Sequence, residues 1–495
     1  ANQMTNGEAE QTGITIVGLG PGDTGLITRQ VWEWLQTTPK ICVRTRHHPC
    51  VPHLPSGLAV TSFDDIYETA ASFEEVYRQI VDRVLELGSQ PGGITYGVPG
   101  HPFVAEATCP EIVRAANARG LPVRVMDGLS FIEPTLSALG IDPLPEMVLM
   151  DALDLGRLQH PAFPPSMPAL IAQIYSRQVA SDLKLTLMAV YPDEHRVQMV
   201  HAAGSHLEDV EELRLYEIDR SDQIGLTTCL YLPALGKETA FEAFQELVAR
   251  LRAADGCPWD REQTHLSLRQ HLLEETYETL SALDSEEPAS LREELGDLLL
   301  QIVLHAQIAA EAGEFTMGDV LKSIHQKIVR RHPHVFGDLA VSNVSGVLAN
   351  WEKIKETERS QNEQQHANGL LDGVPQTLPA LSQAQELQDR AARVGFDWDN
   401  IKPVLDKVRE ELDEALAATD ASELESELGD LLFAVVNFIR WNKVDAESAL
   451  RKTNLRFRKR YAYIEAAARA DGKRLTDMTL AEMDSLWEEA KKEGY

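Results

Sequence analysis

The spacing of hydrophobic positions changes along this chain, and the changes divide it. Between Gly13 and about Leu235, short β-branched runs end in glycine-rich turns and lead into helical stretches: ITIVGLG with PGDTG and LITRQVWEWLQ, then GGITYGVPGHPFVAEATCPEIVRAANARG, then LPVRVMDGLSFIEPTLSALG. Strand, turn and helix in alternation predict an α/β domain with a mainly parallel sheet, its loops gathered at the strands' C-terminal ends. The proline-rich HPAFPPSMPA from His160 marks a joint. Beyond it, LKLTLMAVY, RVQMVHAA, RLYEI and TTCLYLPAL read as strands of a second, more antiparallel lobe. From Lys237 the strands vanish, and Ala, Glu, Leu and Arg at helical spacing run to the end. The expected architecture is a disordered leader (1–12), a two-lobed α/β domain (13–235), and two all-α domains (237–359 and 375–495) joined by a Gln/Asn-rich linker (360–374).

The helical part is organised around LLEETYETLSALDSEEPASLREELGDLLLQIVLHAQ, from Leu272 to Gln307. Glu275 and Glu278 are three apart, as are Glu294 and Asp297, so each pair projects from one helix face. Pro288 stops the first helix, and Ser290 with Glu293 spells an S-x-x-E capping box for the second, which predicts a hairpin. Two such helices laid antiparallel bring four carboxylates together beside an apolar stripe of Leu291, Leu295, Leu298, Leu299, Ile302 and Val303. Burying an unpaired carboxylate is costly, so the cluster calls for a cation. An all-oxygen donor set suits Mg²⁺, or Mn²⁺, rather than zinc. A lone E-x-x-E is ordinarily a solvated face. This one comes twice, as Glu411 and Glu414 followed by Glu427 and Asp430, with Ser422 and Glu425 as a second capping box. EELGDLLLQIV at Glu293 returns as SELGDLLFAVV at Ser426. A solvated face has no reason to be copied with its cap, spacing and leucines.

Each acid hairpin is followed by a basic helix and then W-x-x-x-K. The first set is Lys327, Arg330, Arg331, Trp351 and Lys355; the second is Lys452, Arg456, Arg460, Trp487 and Lys491. Carboxylates that fix a divalent metal, cations that neutralise a polyphosphate and an indole that stacks on a base are the parts needed for attack of water on phosphorus. Glu274 and Glu410, each next to a metal-facing glutamate, are the candidate bases.

Charge and cysteines narrow the partners. The net charge of −31 repels nucleic acid backbones and anionic membranes, so a phosphate ligand must enter through a local basic patch or with a metal. The five cysteines are scattered without C-x-x-C spacing and read as reduced thiols of a cytoplasmic protein. The leader has no signal-peptide pattern, and no apolar run approaches ~18 residues, so no membrane span is expected. Gly20, Gly22 and Gly25 spell G-x-G-x-x-G, but Asp23 lies in the loop and no acid stands ~20 residues on, which argues against a dinucleotide site.

VGLGPGDTGLIT, YGVPGHPF and DGLSFIEPTLSALGIDP resemble the tetrapyrrole methylase family, whose two α/β lobes hold S-adenosylmethionine in the cleft between them. The resemblance covers about residues 13–235 and implies Gly18, Gly20, Pro21, Gly22, Asp23, Pro99, Gly100 and His101 as cofactor-binding positions. His101 stands where the family commonly has Asp. CPWDREQTH, LEETYE, ELGDLL, RRHPHVF, GFDW and SELGDLLFAVVN resemble the MazG family of nucleoside triphosphate pyrophosphohydrolases, over about Lys237–Tyr495. That resemblance implies Mg²⁺-dependent cleavage between the α- and β-phosphates, giving a nucleoside monophosphate and pyrophosphate. It assigns metal to Glu411, Glu414, Glu427 and Asp430, and nucleotide contact to Arg456, Arg460, Trp487 and Lys491, with Arg456 where the family often has Lys. It also implies a homodimer and favours the second helical domain as the main active one. Two rival readings stand beside it. One is a sensor of S-adenosylmethionine or nucleotide; the other is a methyltransferase whose helical half serves dimerisation.

Overall fold

The computed structural model describes residues 12–339 except 71, residues 369–494, and positions 343, 346, 347, 350, 351 and 354 between them. The leader up to residue 11, Lys355 and linker positions 360–368 lie outside the described residues. The chain divides into two compact units, one up to Glu262 and one from Gln263 onward.

The first unit holds two five-stranded sheets. The first sheet comprises β1 (Ile14–Gly18), β2 (Lys40–Val43), β3 (Ala59–Ser62), β4 (Ile94–Val98) and β5 (Val123–Met126), in the order β3-β2-β4-β1-β5 and parallel throughout. A parallel sheet is covered on both faces, and β4 is accordingly buried at every residue. On one side α3 (Phe73–Gly88) and α4 (Thr108–Ala118) bring Ile80, Val84, Ile112 and Ala116 against Tyr96. On the other α1 (Arg29–Thr37) packs Val31 and Leu35 on Val17, Ile41 and Val43. A short α2 (Asp64–Thr69) follows β3, and α5 (Ile132–Leu139) follows β5. The connection from β1 leads to β2 on one side, and that from β4 leads to β5 on the other. The loops after β1 and β4 therefore meet at a topological switch point, where open α/β sheets bind ligands.

The second lobe comprises β6 (Val148–Asp151), α6 (Ala152–Leu155), β7 (Ala169–Ala172), α7 (Arg177–Leu187), β8 (Arg196–His201), β9 (Asp209–Arg214) and β10 (Cys229–Leu232). Its order is β6-β7-β10-β8-β9, antiparallel except for β6 with β7. Two expected strands are corrected. LKLTLMAVY is the end of α7 and its exit, because Ala180, Leu183 and Leu187 recur at helical spacing and are fully buried. RLYEI belongs mostly to the 3₁₀ turn Leu215–Arg220 that follows β9. The strands β2, β3, β6, β7 and β9 have no counterpart among those expected. Two further helices, α8 (Phe241–Arg252) and α9 (Pro258–Glu262), cluster with this unit.

The second unit is helical. Its first repeat has α10 (Arg269–Ser285), α11 (Pro288–Ala312), α12 (Met317–Arg331) and the short α13 (Pro333–Phe336). The second has α14 (Ala380–Arg393), α15 (Ile401–Ala417), α16 (Ala421–Trp441), α17 (Ala446–Ala470) and α18 (Leu480–Lys492). Both hairpins form, with caps other than those expected. Pro288 is the first residue of α11, where its missing N–H costs nothing, so Ser290 lies inside the first turn. At α16 the cap is Asp420, whose carboxylate accepts from Ser422 N and Glu423 N, both at 2.9 Å, and Glu423 in turn accepts from Thr419 N at 2.7 Å. By length and composition alone α11 is long and apolar enough to cross a membrane, a property that core helices share.

Candidate functional site

The two helix pairs bring acids together. Glu275 and Glu278 from α10 and Glu294 from α11 each offer an oxygen within 4.8 Å of the others, and so do Glu411 and Glu414 from α15 with Glu427 from α16. A small buried residue sits one turn beyond the first acid in each pair, Thr279 after Glu275 and Ala415 after Glu411, and lets the helices approach. The Thr279 hydroxyl donates to Glu275 O at 2.8 Å and reaches Glu294 O at 3.4 Å, across the hairpin. Asp297 and Asp430 stand outside these three-member groups. Asp297 is still close enough to act on Glu275.

The electrostatics follow from crowding. Burial raises the Glu275 carboxyl above its ordinary value, and Asp297, Glu278, Glu294 and Glu274 add to the shift. Burial likewise raises Glu294, with help from Glu278, Asp297 and Glu293. Glu414 is raised by burial and by Glu411, against the opposing pull of Lys407.

The repeats differ at one point that sequence reasoning missed. Lys407 Nζ lies 2.7 Å from the carboxylate of Glu411, which is only 6% exposed, and 2.9 Å from Glu410. The signal was legible, since Lys407 stands four residues before Glu411 on one helix face. In the first repeat the same offset holds His271, which lies 3.4 Å from Glu274. The second acid group therefore carries a built-in cation where the first has an imidazole.

The expected cations have their own geometry. Arg331 lies over the ring of Trp351 at 5.8 Å, and Arg460 over Trp487 at 5.3 Å, with Phe457 5.3 Å from the same indole. Lys491 pairs with Glu488, and Arg456 donates to Thr453 at 2.9 Å. Lys327, Arg330, Lys452 and Arg456 are exposed. Among the described residues, Lys407 is a cation placed at the acids.

In the first unit the glycine loop is braced by backbone. Gly20 and Gly100 exchange hydrogen bonds of 3.3 and 2.8 Å, joining the loops after β1 and β4. A Cβ on Gly18 would meet Gly128 N at 2.6 Å, and one on Gly22 would meet Gly204 O at 2.2 Å, so glycine is required at both. Asp23 N donates to Gly204 O at 3.2 Å, which ties the loop to the second lobe. Pro21 and Pro99 flank this crossing. His101 Nδ1 accepts from Phe103 N at 3.0 Å, which places its ring proton on Nε2, 3.6 Å from the Asp127 carboxylate.

A two-lobed α/β unit with a braced glycine crossing, joined to duplicated helix pairs that each converge three carboxylates, defines a two-module protein with metal-type acid clusters in the helical module. Comparison with known proteins names the modules. Residues 263–336 and 399–464 match the MazG nucleotide pyrophosphohydrolase domain, and residues 13–219 match the tetrapyrrole (corrin/porphyrin) methylases. The chain is 42% identical over 488 residues to the uncharacterised protein YabN of Bacillus subtilis (strain 168), covering 97% of this chain and 98% of that one. It is 46% identical over 253 residues to the nucleoside triphosphate pyrophosphohydrolase of Escherichia coli (strain K12), covering 50% of this chain and 95% of that one. The uroporphyrin-III-C-methyltransferase of Thermus thermophilus superposes with a TM-score of 0.36 at 19% identity, over 45% of this chain and 92% of that one. The chain belongs to the MazG nucleotide pyrophosphohydrolase family, in a form that carries a tetrapyrrole methylase-type domain ahead of its two MazG repeats.

Proposed function

We propose that the protein is a divalent-cation-dependent nucleoside triphosphate pyrophosphohydrolase that releases a nucleoside monophosphate and pyrophosphate. The observation that carries the proposal is the convergence of three carboxylates to within 4.8 Å in each repeat, with upward-shifted protonation among them. Like charges held this close need a counter-ion, and an all-oxygen set fits Mg²⁺ or Mn²⁺. Glu411, Glu414 and Glu427 would hold the ion with Asp430, and Glu275, Glu278 and Glu294 with Asp297 in the first repeat. When bound, the ion supplies charge for the triphosphate and a more acidic water.

Glu410, or Glu274 in the first repeat, takes the proton from water as its oxygen bonds the α-phosphorus and the bridging P–O bond breaks. Arg456, Arg460, Lys452 and Lys491 hold the polyphosphate, with Trp487 beside the base; Lys327, Arg330, Arg331, Trp351 and Lys355 are their counterparts. Gly296 and Gly429 support an approach from outside, because a Cβ on either would meet no other element within 4 Å. A helix-interior glycine costs about 1 kcal/mol relative to alanine, and both repeats keep it between the acids.

Pyrophosphate release from a panel of nucleoside triphosphates with Mg²⁺ tests this reading. Glu427→Ala with Asp430→Ala is expected to lower turnover at least about a hundredfold. Unchanged turnover would move catalysis to the first repeat. For the α/β unit we propose S-adenosylmethionine binding at the crossing of the loops after β1 and β4. Calorimetry with that ligand checks it, and an absence of heat at saturating concentration reduces the unit to a scaffold. Unpaired cysteines, four of them buried, support a reducing, cytoplasmic setting.

A further inference from the structure

Arg451 precedes the first candidate phosphate cation of the second repeat, yet it points to the first repeat. Its Nη2 donates to the Asp284 carboxylate at 3.2 Å, near the C-terminal end of α10, and its guanidinium carbon lies 5.9 Å from the Tyr277 ring centroid, two turns earlier on that helix. Both partners are largely shielded, with side chains 23% and 15% exposed, so the pair is screened less than a surface pair. We infer that Arg451 and Asp284 form a clamp by which the acid helix of the first repeat sets the angle of the cation helix of the second, making Arg451 a positioning residue for the nucleotide.

The start of α17 is held at two places. Within its own repeat, Gln385 accepts from Ala446 N at 2.8 Å and donates to Val444 O at 3.1 Å, while Asp445 caps the helix through Ser448 N. From the other repeat come Asp284 and Tyr277. Beyond Arg451, residues 452–459 are all exposed, and α17 next meets α18, where Phe457 and Arg460 lie against Trp487, so the stretch carrying Lys452 and Arg456 tilts about this base together with that indole. At about 1.5 Å per residue, Arg456 and Arg460 lie about 7.5 and 13.5 Å further along the axis, so a tilt of about 5° at the base moves Arg460 by about 1 Å. A displacement of that size is enough to spoil a charge-assisted contact to phosphate. The clamp gives the first repeat a task in the second repeat's reaction, whether or not its own acids turn over substrate.

This inference rests on the hydrolase reading, and the test separates the two. In the full chain, Arg451→Met and Asp284→Asn are each expected to raise the KM for nucleoside triphosphate about five- to tenfold while changing kcat less than about twofold. The exchanged pair, Arg451→Asp with Asp284→Arg, is expected to recover KM. Hydrogen exchange supplies a readout independent of turnover: amides of residues 277–285 and 446–460 should lose protection together in the single variants and regain it in the exchanged pair. Unchanged exchange overturns the clamp. Loss of protection with an unchanged KM overturns the positioning role. A wild-type chain that releases no pyrophosphate removes the hydrolase reading and leaves the exchange experiment to decide the clamp.

Discussion

At the scale of single residues, the acid clusters store repulsion that a bound cation would relieve. Glu275, Glu294 and Glu414 all titrate above the ordinary carboxylate value of 4.5, first through burial and then through one another. The sign follows from linkage. A carboxyl whose folded value is raised binds its proton more tightly in the native state, so the metal-free protein gains from these groups as pH falls through that raised range and loses as it rises. Metal binding requires the ionised form, so it competes with those protons. The increase in Tm on adding Mg²⁺ to EDTA-treated protein should therefore be larger at pH 7.5 than at pH 5, read by scanning calorimetry. An equal increase at both values would mean that Mg²⁺ binds elsewhere. The acids themselves were readable in sequence because helical spacing and duplication reveal them. Lys407 was overlooked because a lone lysine on an acidic helix looks like surface balance until the burial of Glu411 is known.

At the scale of elements, what could be read depended on whether local pattern and tertiary burial agreed. The hairpins α10–α11 and α15–α16 were legible because their apolar stripes, turns and acids all follow one helical period. The strand β7 was not. Its four residues, ALIA, are all buried and have no alternation to betray a sheet. LKLTLMAVY showed the opposite failure, with a local alternation overridden by burial of one helical face. Lys184, which would have faced solvent on a strand, reaches Asp219 at 2.5 Å. The caps give a test at this scale. Asp420 accepts two backbone N–H groups of α16, whereas Ser422 was the residue the capping-box pattern favoured. Asp420→Ala should cost about 1 kcal/mol in urea unfolding, against less than about 0.5 kcal/mol for Ser422→Ala. The reverse order would restore the box predicted at Ser422.

At the scale of the whole molecule, the described residues of the helical repeats leave apolar side chains exposed. Leu299 and Leu432 on α11 and α16 are 37% and 60% exposed, and Leu295, Ile302, Leu428 and Phe433 on the same helices are exposed with them. These leucines flank the acids, so whatever covers them also shields the carboxylates from water. The candidate phosphate cations of the described residues lie on other helices than the acids, on α12, α17 and α18. Both features are accounted for if a second copy lies over the hairpins and brings cations toward acids across the interface. A stable pair needs about 1,200–2,000 Å² of buried surface. Sedimentation should accordingly give the mass of two chains. Leu299→Glu with Leu432→Glu should yield the mass of one, because each substitution places a charge in that interface. If the second copy completes the site, the monomeric variant loses pyrophosphate release while its helical circular dichroism is retained. A monomeric variant with full turnover would place the whole catalytic apparatus within one chain and leave the leucines a purely adhesive role.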